Sequence, residues 1–306
     1  MSPRWTGRAL GAAAGLVLDQ VLGEPPLPDR WHPVALFGTG VGALERRLYD
    51  DRVAPGVVLV GAGLGAAALA GATLRSPAAA TYLACAGRGL RDTAEEVGRA
   101  LGAGDLAGAR DRLPALVGRD PASLDGPGIA RAVVESVAEN TTDAVVAPAL
   151  WTLAAGATGA FVHRAGDTLD SMVGYRNRTY RRFGTAAARL DDALAWAPAR
   201  ATAALVALAR PRRAADVARA VRRDAPAHPS PNAGVAEAAF AAALDLRLGG
   251  GENRYGDAVE IRPPLGRGRR PEAADIAAAV ALSRDVTWLL AGALAAAGVA
   301  GRARRR

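Results

Sequence analysis

Three carboxylates that recur at helical spacing are the first candidates for chemistry. Glu135, Glu139 and Asp143 stand at positions i, i+4 and i+8, so a helix would place them on one face. That face leads into a charge-free run beginning at Ala144. Carboxylates this close repel one another unless a cation lies among them, and Mg²⁺ prefers one or two carboxylates with water and substrate phosphates. The alternative is a solvated helix face, with Arg131 and Glu135 as an ordinary i,i+4 ion pair.

A second polar cluster follows in the sequence DTLDSMVGYR. Asp167 and Asp170 stand three residues apart, and Tyr175, Arg176 and further arginines come next. Carboxylates and guanidinium groups this close could bind metal and phosphate together. The alternative is a positively charged cytoplasmic loop in which Asp167 caps a helix.

A possible anion site lies in the sequence SPNAG, which precedes a helix-like run over Val235–Leu248. A helix N-terminus with exposed amides attracts anions, so Ser230 and Asn232 are candidate phosphate contacts. Asn232 is alternatively an N-cap, which is the more common role. Glu237, in the first turn, would favour the helix dipole or ligate a cation.

Two ionisable residues near the N-terminus complete the candidates. Asp19 interrupts the apolar run Ala9–Val21, and an acid in such a run is a functional candidate near a membrane. His32 precedes Pro33, where a histidine is more often structural than catalytic.

Long apolar runs must position these polar groups. A run of about 20 apolar residues can cross a bilayer as a helix. The charge-free candidates are Val53–Leu74, Ala144–Val162 and the shorter Val286–Gly301, with Ala78–Ala86 and Ala193–Ala209 as weaker ones. Ala9–Val21 resembles a signal peptide but lacks a clean cleavage site, so we interpret it as a retained first helix. The alternative treats the runs as core helices of a soluble protein.

The intervening polar segments also favour helices. The sequence predicts helices over 88–101, 106–117 and 127–141, a dense polar loop over 163–192, and one short strand over 258–262. Residues 210–285 form the largest predicted extramembrane portion. The predicted fold class is all-α, a polytopic membrane protein with polar cytoplasmic helices and loops, and residues 1–306 form one predicted domain.

Composition narrows the functional classes. The chain of 306 residues carries a net charge of +8 and one cysteine, so a disulfide within the chain and a cysteine metal cluster are excluded. The basic residues cluster between apolar runs, and no helix-turn-helix, zinc spacing or aromatic stacking platform is present, so we expect no nucleic acid partner. The sequence also lacks a GxxxxGK[ST] loop, an HExxH motif and a GxSxG elbow.

Seven motifs in order along nearly the whole chain resemble the CobD/CbiB family of cobalamin biosynthesis proteins. They are LDQVLGEP with HPV (Leu18–Pro25, His32–Val34), VGRD (Val117–Asp120), VESVAENTTDAVVAP (Val134–Pro148), DTLDSMVGYR (Asp167–Arg176), FGTAAARLDD (Phe183–Asp192), SPNAG (Ser230–Gly234) and RPPLGRG (Arg262–Gly268). The chain departs from the more usual family residues at Glu24, Ala144, Asp167 and Arg176. The extra charge of Asp167 makes that position less typical as a ligand.

The resemblance implies a multi-pass enzyme of the plasma (inner) membrane that forms an amide bond. It implies that adenosylcobyric acid supplies a propionate carboxylate and that aminopropanol phosphate or aminopropanol supplies the amine, giving adenosylcobinamide phosphate or adenosylcobinamide. ATP and Mg²⁺ are the implied driving reagents. The lipid bilayer and other enzymes of the corrinoid pathway are the implied macromolecular surroundings.

The chemistry then gives the candidate residues roles within that resemblance. Glu135, Glu139 and Asp143 would position Mg²⁺ and ATP, and the expected metal ligands are Glu139, Asp143 and Asp170. His32 or Asp170 would serve as the base. The remaining expected contacts to substrate or phosphate are Arg119, Asn140, Ser171, Tyr175, Arg176, Ser230 and Asn232. Two alternatives from other classes stay open: a small transporter, suggested by Asp19 and Arg200 in apolar runs, and a non-catalytic scaffold for corrinoid enzymes.

Overall fold

The computed structural model describes residues 2–25, 27–175, 177–255 and 258–304, and for residues 29, 252–255 and 258–260 it describes the backbone alone. The described residues are predominantly helical, as predicted. In chain order the α-helices are α1 (Pro3–Leu22), α2 (Pro33–Leu48), α3 (Val53–Leu74), α4 (Pro77–Ala84), α5 (Gly87–Gly102), α6 (Leu106–Arg112), α7 (Gly126–Thr141), α8 (Ala147–Ala155), α9 (Ala157–Val173), α10 (Thr185–Ala209), α11 (Ala214–Asp224), α12 (Ala233–Leu244) and α13 (Ala273–Ala303).

Two short strands are also present in the described residues. β1 (Glu252–Tyr255) pairs antiparallel with β2 (Ala258–Ile261), and Glu252 lies opposite Ile261 in the register. The strand predicted from the alternating residues 258–262 is therefore confirmed.

The chain forms two compact units. The first comprises Met1–Ala86, Asp143–Ala195 and Leu290–Arg306, and the second comprises Gly87–Thr142 and Trp196–Leu289. Residues 210–285, the predicted extramembrane portion, belong to the second unit. Their position outside a membrane, and the behaviour of residues 1–306 as one domain, stay predictions.

Hydroxyl caps and one apolar cluster organise the first unit. The Ser2 side chain accepts a hydrogen bond from the Trp5 amide at 3.3 Å as α1 begins, and Ser76 does the same for Ala79 at α4. α3 and α9 share a core with α2 and the start of α10, formed by Val41, Leu59, Val60, Leu169, Val173, Phe183 and Ala187.

Within the described parts of the chain, two helices are long and apolar enough to cross a bilayer. They are α3, with a mean hydropathy of 2.0 over its most apolar window, and α13, with 1.4. Only 28% of the α3 window is buried by the protein, and Val58 and Leu69 are 56% and 67% exposed. Because the core helix of a soluble protein is normally covered, this exposure favours association with a membrane. The multi-pass arrangement stays a prediction.

A glycine interrupts the second predicted span, so the prediction of one continuous helix over Ala144–Val162 is wrong. A π-helical turn covers Thr142–Val146, and α8 ends at Ala155. Gly156 follows with φ 71° and ψ −152°, a conformation that residues with a Cβ atom rarely adopt. The apolar run therefore folds as two helices.

The dense polar loop predicted over 163–192 is also wrong over most of its length. α9 continues to Val173, and α10 begins at Thr185. Ala165, Leu169 and Val173 recur at a spacing of four and are all buried. This apolar face packs against the core and makes the polar sequence one side of an amphipathic helix.

α7 is the central helix of the second unit. The Asp125 side chain accepts a hydrogen bond from the Gly128 amide at 2.7 Å and caps its first turn. Thr141 Oγ1 donates to Ser283 Oγ at 2.8 Å, so part of the core around α7 is polar but paired. α12, predicted over Val235–Leu248, ends earlier because Asp245 adopts a left-handed φ of 58°.

Candidate functional site

A buried carboxylate held by two arginines is the centre of the candidate site. Glu135 on α7 is 2% exposed. Arg119, from the segment before α7, donates a hydrogen bond from Nη2 to Glu135 Oε2. Arg131, one turn earlier on α7, places its Nε 3.7 Å from Glu135 Oε1, and the Gly249 amide donates to the same oxygen at 2.8 Å.

These partners keep Glu135 ionised. Burial raises the pKa of Glu135, but the charges of Arg119 and Arg131 and the hydrogen bonds from Arg119 and Gly249 outweigh burial, so its pKa is lowered overall. Burial lowers the pKa of the Arg131 guanidinium, and the Glu135 charge opposes this effect. The site therefore holds negative and positive charge together away from water.

A second buried acid of the same unit, Glu237, has its pKa shifted in the opposite direction from that of Glu135. Glu237 on α12 is fully buried, and neither of its carboxyl oxygens has a hydrogen-bond partner among the described residues. Burial raises its pKa well above the ordinary value, and the charges of Glu135 and Glu139 add to that effect. Arg262, with Nη1 3.5 Å from Glu237 Oε1, lowers the pKa by less. The surroundings of Glu237 therefore favour its protonated form.

A histidine lies beside this buried acid. His228 Nε2 is 3.8 Å from Glu237 Oε1, and the His228 side chain is 2% exposed. The Ser230 amide donates to His228 Nδ1 at 3.1 Å. Nδ1 is also 3.1 Å from the Ser230 carbonyl oxygen, so it accepts from the amide in one tautomer and donates to the carbonyl in the other.

A glycine turn brings the backbone close to Arg131. Gly249 and Gly250 adopt left-handed φ values of 63° and 67°, and the Gly249 carbonyl accepts a hydrogen bond from Arg131 Nη1 at 2.8 Å. A Cβ atom on Gly251 would overlap Arg131 Nη1. The three glycines therefore permit a backbone–guanidinium contact that other residues would block.

The two acids suit acid–base chemistry because their environments push their pKa values apart. An ionised Glu135 orders the arginines, whose charge can stabilise anionic oxygens, while a neutral Glu237 can donate a proton. The described residues contain no group of three or more His, Cys, Asp or Glu side chains that could hold a metal ion.

Comparison with known proteins places these residues in a family. A family model described as CobD/Cbib protein matches residues 12–283. The chain belongs to the CobD/CbiB family. Cobalamin biosynthesis protein CobD of Mycobacterium tuberculosis (strain CDC 1551 / Oshkosh) is 48% identical over 295 residues, covering 92% of this chain and 93% of that protein. The protein of the same name from Chromobacterium violaceum is 44% identical over 310 residues, covering 95% and 97%.

A more distant CobD relative, from Brucella suis, is 38% identical over 314 residues, covering 94% of this chain and 95% of that protein. No solved structure matches the chain. The matched range of the family model includes all seven sequence motifs. The sequence-based assignment to the CobD/CbiB family is therefore confirmed.

Six of the predicted site residues lie in the second unit. Arg119 and Glu135 are in direct contact, and Glu139 is partly exposed and close enough to raise the pKa of Glu237. Asn140 Nδ2 donates to the Ser136 carbonyl on its own helix at 3.0 Å. The two residues of SPNAG serve local structure: the Ser230 side chain accepts from the Ala233 amide at 3.1 Å, and Asn232 Oδ1 accepts from Arg200 Nη1 at 2.8 Å.

Five other predicted residues lie in the first unit. His32 stands at the N-terminus of α2 without a side-chain cap hydrogen bond, and Asp143 lies in the π-helical turn rather than in α7. Asp170 and Ser171 are on α9, and Tyr175 is 52% exposed just after it. Arg176 lies outside the described residues. The roles predicted for these residues, and for Arg119 with phosphate, stay predictions.

The contacts of Arg131, His228 and Gly249 are not evident from the sequence. Helical spacing indicates Arg131 only as an ordinary ion-pair partner of Glu135, and no spacing points to His228 or Gly249. Both His228 and Arg262 stand beside or within the SPNAG and RPPLGRG motifs, which were the available signal. Nothing in the spacing of these segments indicates that they meet at Glu237 and Glu135.

Proposed function

We propose that this chain acts in cobalamin biosynthesis and joins aminopropanol phosphate, or aminopropanol, to a propionate carboxylate of adenosylcobyric acid. The observation that carries the proposal is the relationship over residues 12–283 to a family whose curated members are named cobalamin biosynthesis proteins. The products would be adenosylcobinamide phosphate or adenosylcobinamide. ATP supplies the free energy in this proposal.

The proposed reaction has two balanced steps. A carboxylate is a poor electrophile, so an oxygen of the propionate first attacks a phosphorus atom of ATP, and ADP, or pyrophosphate in the adenylating version, leaves. The amine nitrogen then attacks the carbonyl carbon. The bond from that carbon to the phosphate oxygen breaks, phosphate (or AMP in the adenylating version) leaves, and the amine loses a proton to a base.

The buried cluster of the second unit has the charges that these steps need. Arg119 and Arg131 concentrate positive charge where water is excluded, which strengthens their effect on developing negative charge. Glu139 is the partly exposed carboxylate beside the buried acids, so it is the one accessible to a substrate. His228 and the Glu237 carboxyl group, whose nearest atoms are 3.8 Å apart, form a pair that can accept and donate a proton.

The proposal includes insertion in the plasma membrane. The exposed apolar surface of α3 and the length of α13 support it. Magnesium bound to ATP is part of the proposed reaction as a reagent, and Glu139 of the second unit is a candidate ligand from the resemblance.

A reconstitution tests the reaction directly. Detergent-purified protein is mixed with adenosylcobyric acid, aminopropanol phosphate, ATP and Mg²⁺, and corrinoids are followed by mass spectrometry, with free aminopropanol in a parallel reaction. We expect a product at the mass of the amide that disappears when ATP or Mg²⁺ is omitted. Unchanged corrinoid from folded protein with either amine would overturn the proposal and favour a scaffold.

Glu139→Gln tests the site within the same assay. The substitution removes one negative charge and keeps the side-chain size, so we expect turnover to be lost while expression and thermal stability are retained. The matched control is Glu96→Gln, which makes the same change on an exposed face of α5 in the same unit. Wild-type turnover by Glu139→Gln would remove Glu139 from the proposed machinery.

A further inference from the structure

A polar cleft in the second unit has no role in the proposed reaction as described above. It has a volume of about 710 Å³ and lies between the start of α7, the glycine turn at 249–251 and the segment before α13. Its described lining contains three arginines, Arg131, Arg247 and Arg270, against one carboxylate, Asp125. We propose that this cleft binds a chain of phosphate groups.

Arg131 provides a fixed positive charge on the inner side of the cleft. Its side chain is 15% exposed, and Nη1 is held by the Gly249 carbonyl at 2.8 Å. Its Nε faces Glu135 Oε1 at 3.7 Å, so Glu135 holds one edge of a guanidinium that also lines the cleft. A guanidinium that has lost most of its water is stabilised further by an anion nearby.

The other two arginines are loosely held at the rim. Arg270 Nη2 is 3.8 Å from Asp125 Oδ2, and both side chains are 64% exposed. Such an exposed pair contributes little, so it does not compete strongly with a bound ligand. Arg247 is also exposed. Both guanidinium groups are therefore able to turn toward an anion in the cleft.

The chemistry of the lining favours a phosphate chain over other anions. Planar guanidinium groups match pairs of phosphate oxygens, and three of them at one cleft match a ligand with several anionic groups. The volume lies within the range of small-molecule sites and exceeds what a single carboxylate needs. The described lining residues include no aromatic ring on which a nucleobase could stack. The N-terminus of α7, which is the positive end of its helix dipole, also lines the cleft and favours an anion there.

This inference deepens the proposed function, on which its catalytic meaning rests, because Arg131 links the cleft to Glu135. The test is nevertheless a binding measurement without corrinoid. Purified wild-type protein is titrated with inorganic triphosphate, pyrophosphate and phosphate by calorimetry at low salt. We expect the affinity to rise with the number of phosphate groups and to fall steeply with added salt.

A double variant locates the binding. Arg247→Gln with Arg270→Gln is expected to raise the Kd for triphosphate about tenfold or more, because two charge-assisted contacts are lost. The charge-matched control is Arg212→Gln with Arg222→Gln, two exposed arginines of the same unit that do not line the cleft. Each single variant is measured as well, and thermal unfolding confirms that all of them fold.

Two results would overturn the inference: no triphosphate binding by the wild type, or an equal loss in both double variants, which would indicate a general surface-charge effect. Binding that depends on Arg247 and Arg270 in a protein that forms no corrinoid amide would support the cleft and overturn the proposed reaction. Amide formation by a protein whose triphosphate binding is unchanged in the Arg247 and Arg270 variants would support the proposed reaction and overturn the cleft.

Discussion

Replacing Glu237 by glutamine should make the stability of the protein less sensitive to rising pH. The wild-type side chain is fully buried and has a raised pKa, caused first by burial and then by the charges of Glu135 and Glu139. Glutamine has nearly the same shape as the protonated acid and does not ionise. At pH 5, therefore, wild type and Glu237→Gln should be similarly stable.

The sign of the effect follows from proton linkage. The pKa of Glu237 is higher in the folded state than the value of about 4.3 in an unfolded chain. The stabilisation from this group is therefore fully present below the unfolded pKa and is lost as pH rises through the folded pKa. While pH lies between the two values, wild type loses about 1.4 kcal/mol per pH unit relative to Glu237→Gln.

In a chain of this size 1 kcal/mol shifts Tm by about 2 °C, so between the two pKa values the difference in Tm should grow by about 3 °C per pH unit. The assay is thermal unfolding in detergent, followed by tryptophan fluorescence at half-unit steps of pH. Infrared spectroscopy provides a second readout, because the band of a protonated carboxyl group should disappear in the variant.

The control is Glu96→Gln, which removes one exposed carboxylate from the same unit. A difference in Tm for Glu237→Gln that is constant from pH 5 to pH 7, or no larger in its pH dependence than that of the control, would refute the reasoning. It would mean that Arg262 or His228 keeps Glu237 ionised in spite of burial.

Three further outcomes follow from the contacts, two measured by thermal unfolding in detergent and one by triphosphate binding. Arg119→Met should destabilise the fold by about 3–5 kcal/mol because it leaves Glu135 buried without its main partner. Adding Glu135→Met should recover much of that loss, and strict additivity would contradict a coupled pair. Gly251→Ala should displace Arg131, and the inference at the cleft requires weaker triphosphate binding in this variant. Gly156→Ala should cost about 1–3 kcal/mol because of its left-handed φ, and an unchanged Tm would show that the chain relaxes there.

The sequence predicts helices well where caps and charge boundaries coincide. α3 begins and ends where the charge-free run between Arg52 and Arg75 does, and α7 begins within one residue of its predicted start because Asp125 caps it. Prediction fails where a single backbone conformation decides. Gly156 divides an apolar run that hydropathy alone reads as continuous.

The site could be predicted only in part, because its contacts join segments distant in sequence. Helical spacing gives the Arg131–Glu135 pair directly. The contact of Arg119 with Glu135 crosses 16 positions, and that of Gly249 crosses 114. Periodicity carries no information on such contacts. It also cannot separate an ionised acid from a neutral one, which here depends on how many arginines face each carboxyl group.

The glycines of α3 have a consequence for how this helix finds its place. Gly56, Gly63 and Gly71 lie along its inner face, and a Cβ atom on Gly71 would be 2.5 Å from the Thr158 Cα atom at the start of α9. Acyl chains solvate leucine as well as a protein core does, so in the bilayer we propose, hydrocarbon contact gives α3 no preference for α9 over lipid. The preference of α3 for α9 must therefore come from the close fit of the two helix surfaces, which small residues allow. The glycines of α3, which have no side chain, therefore determine which helix can pack against it.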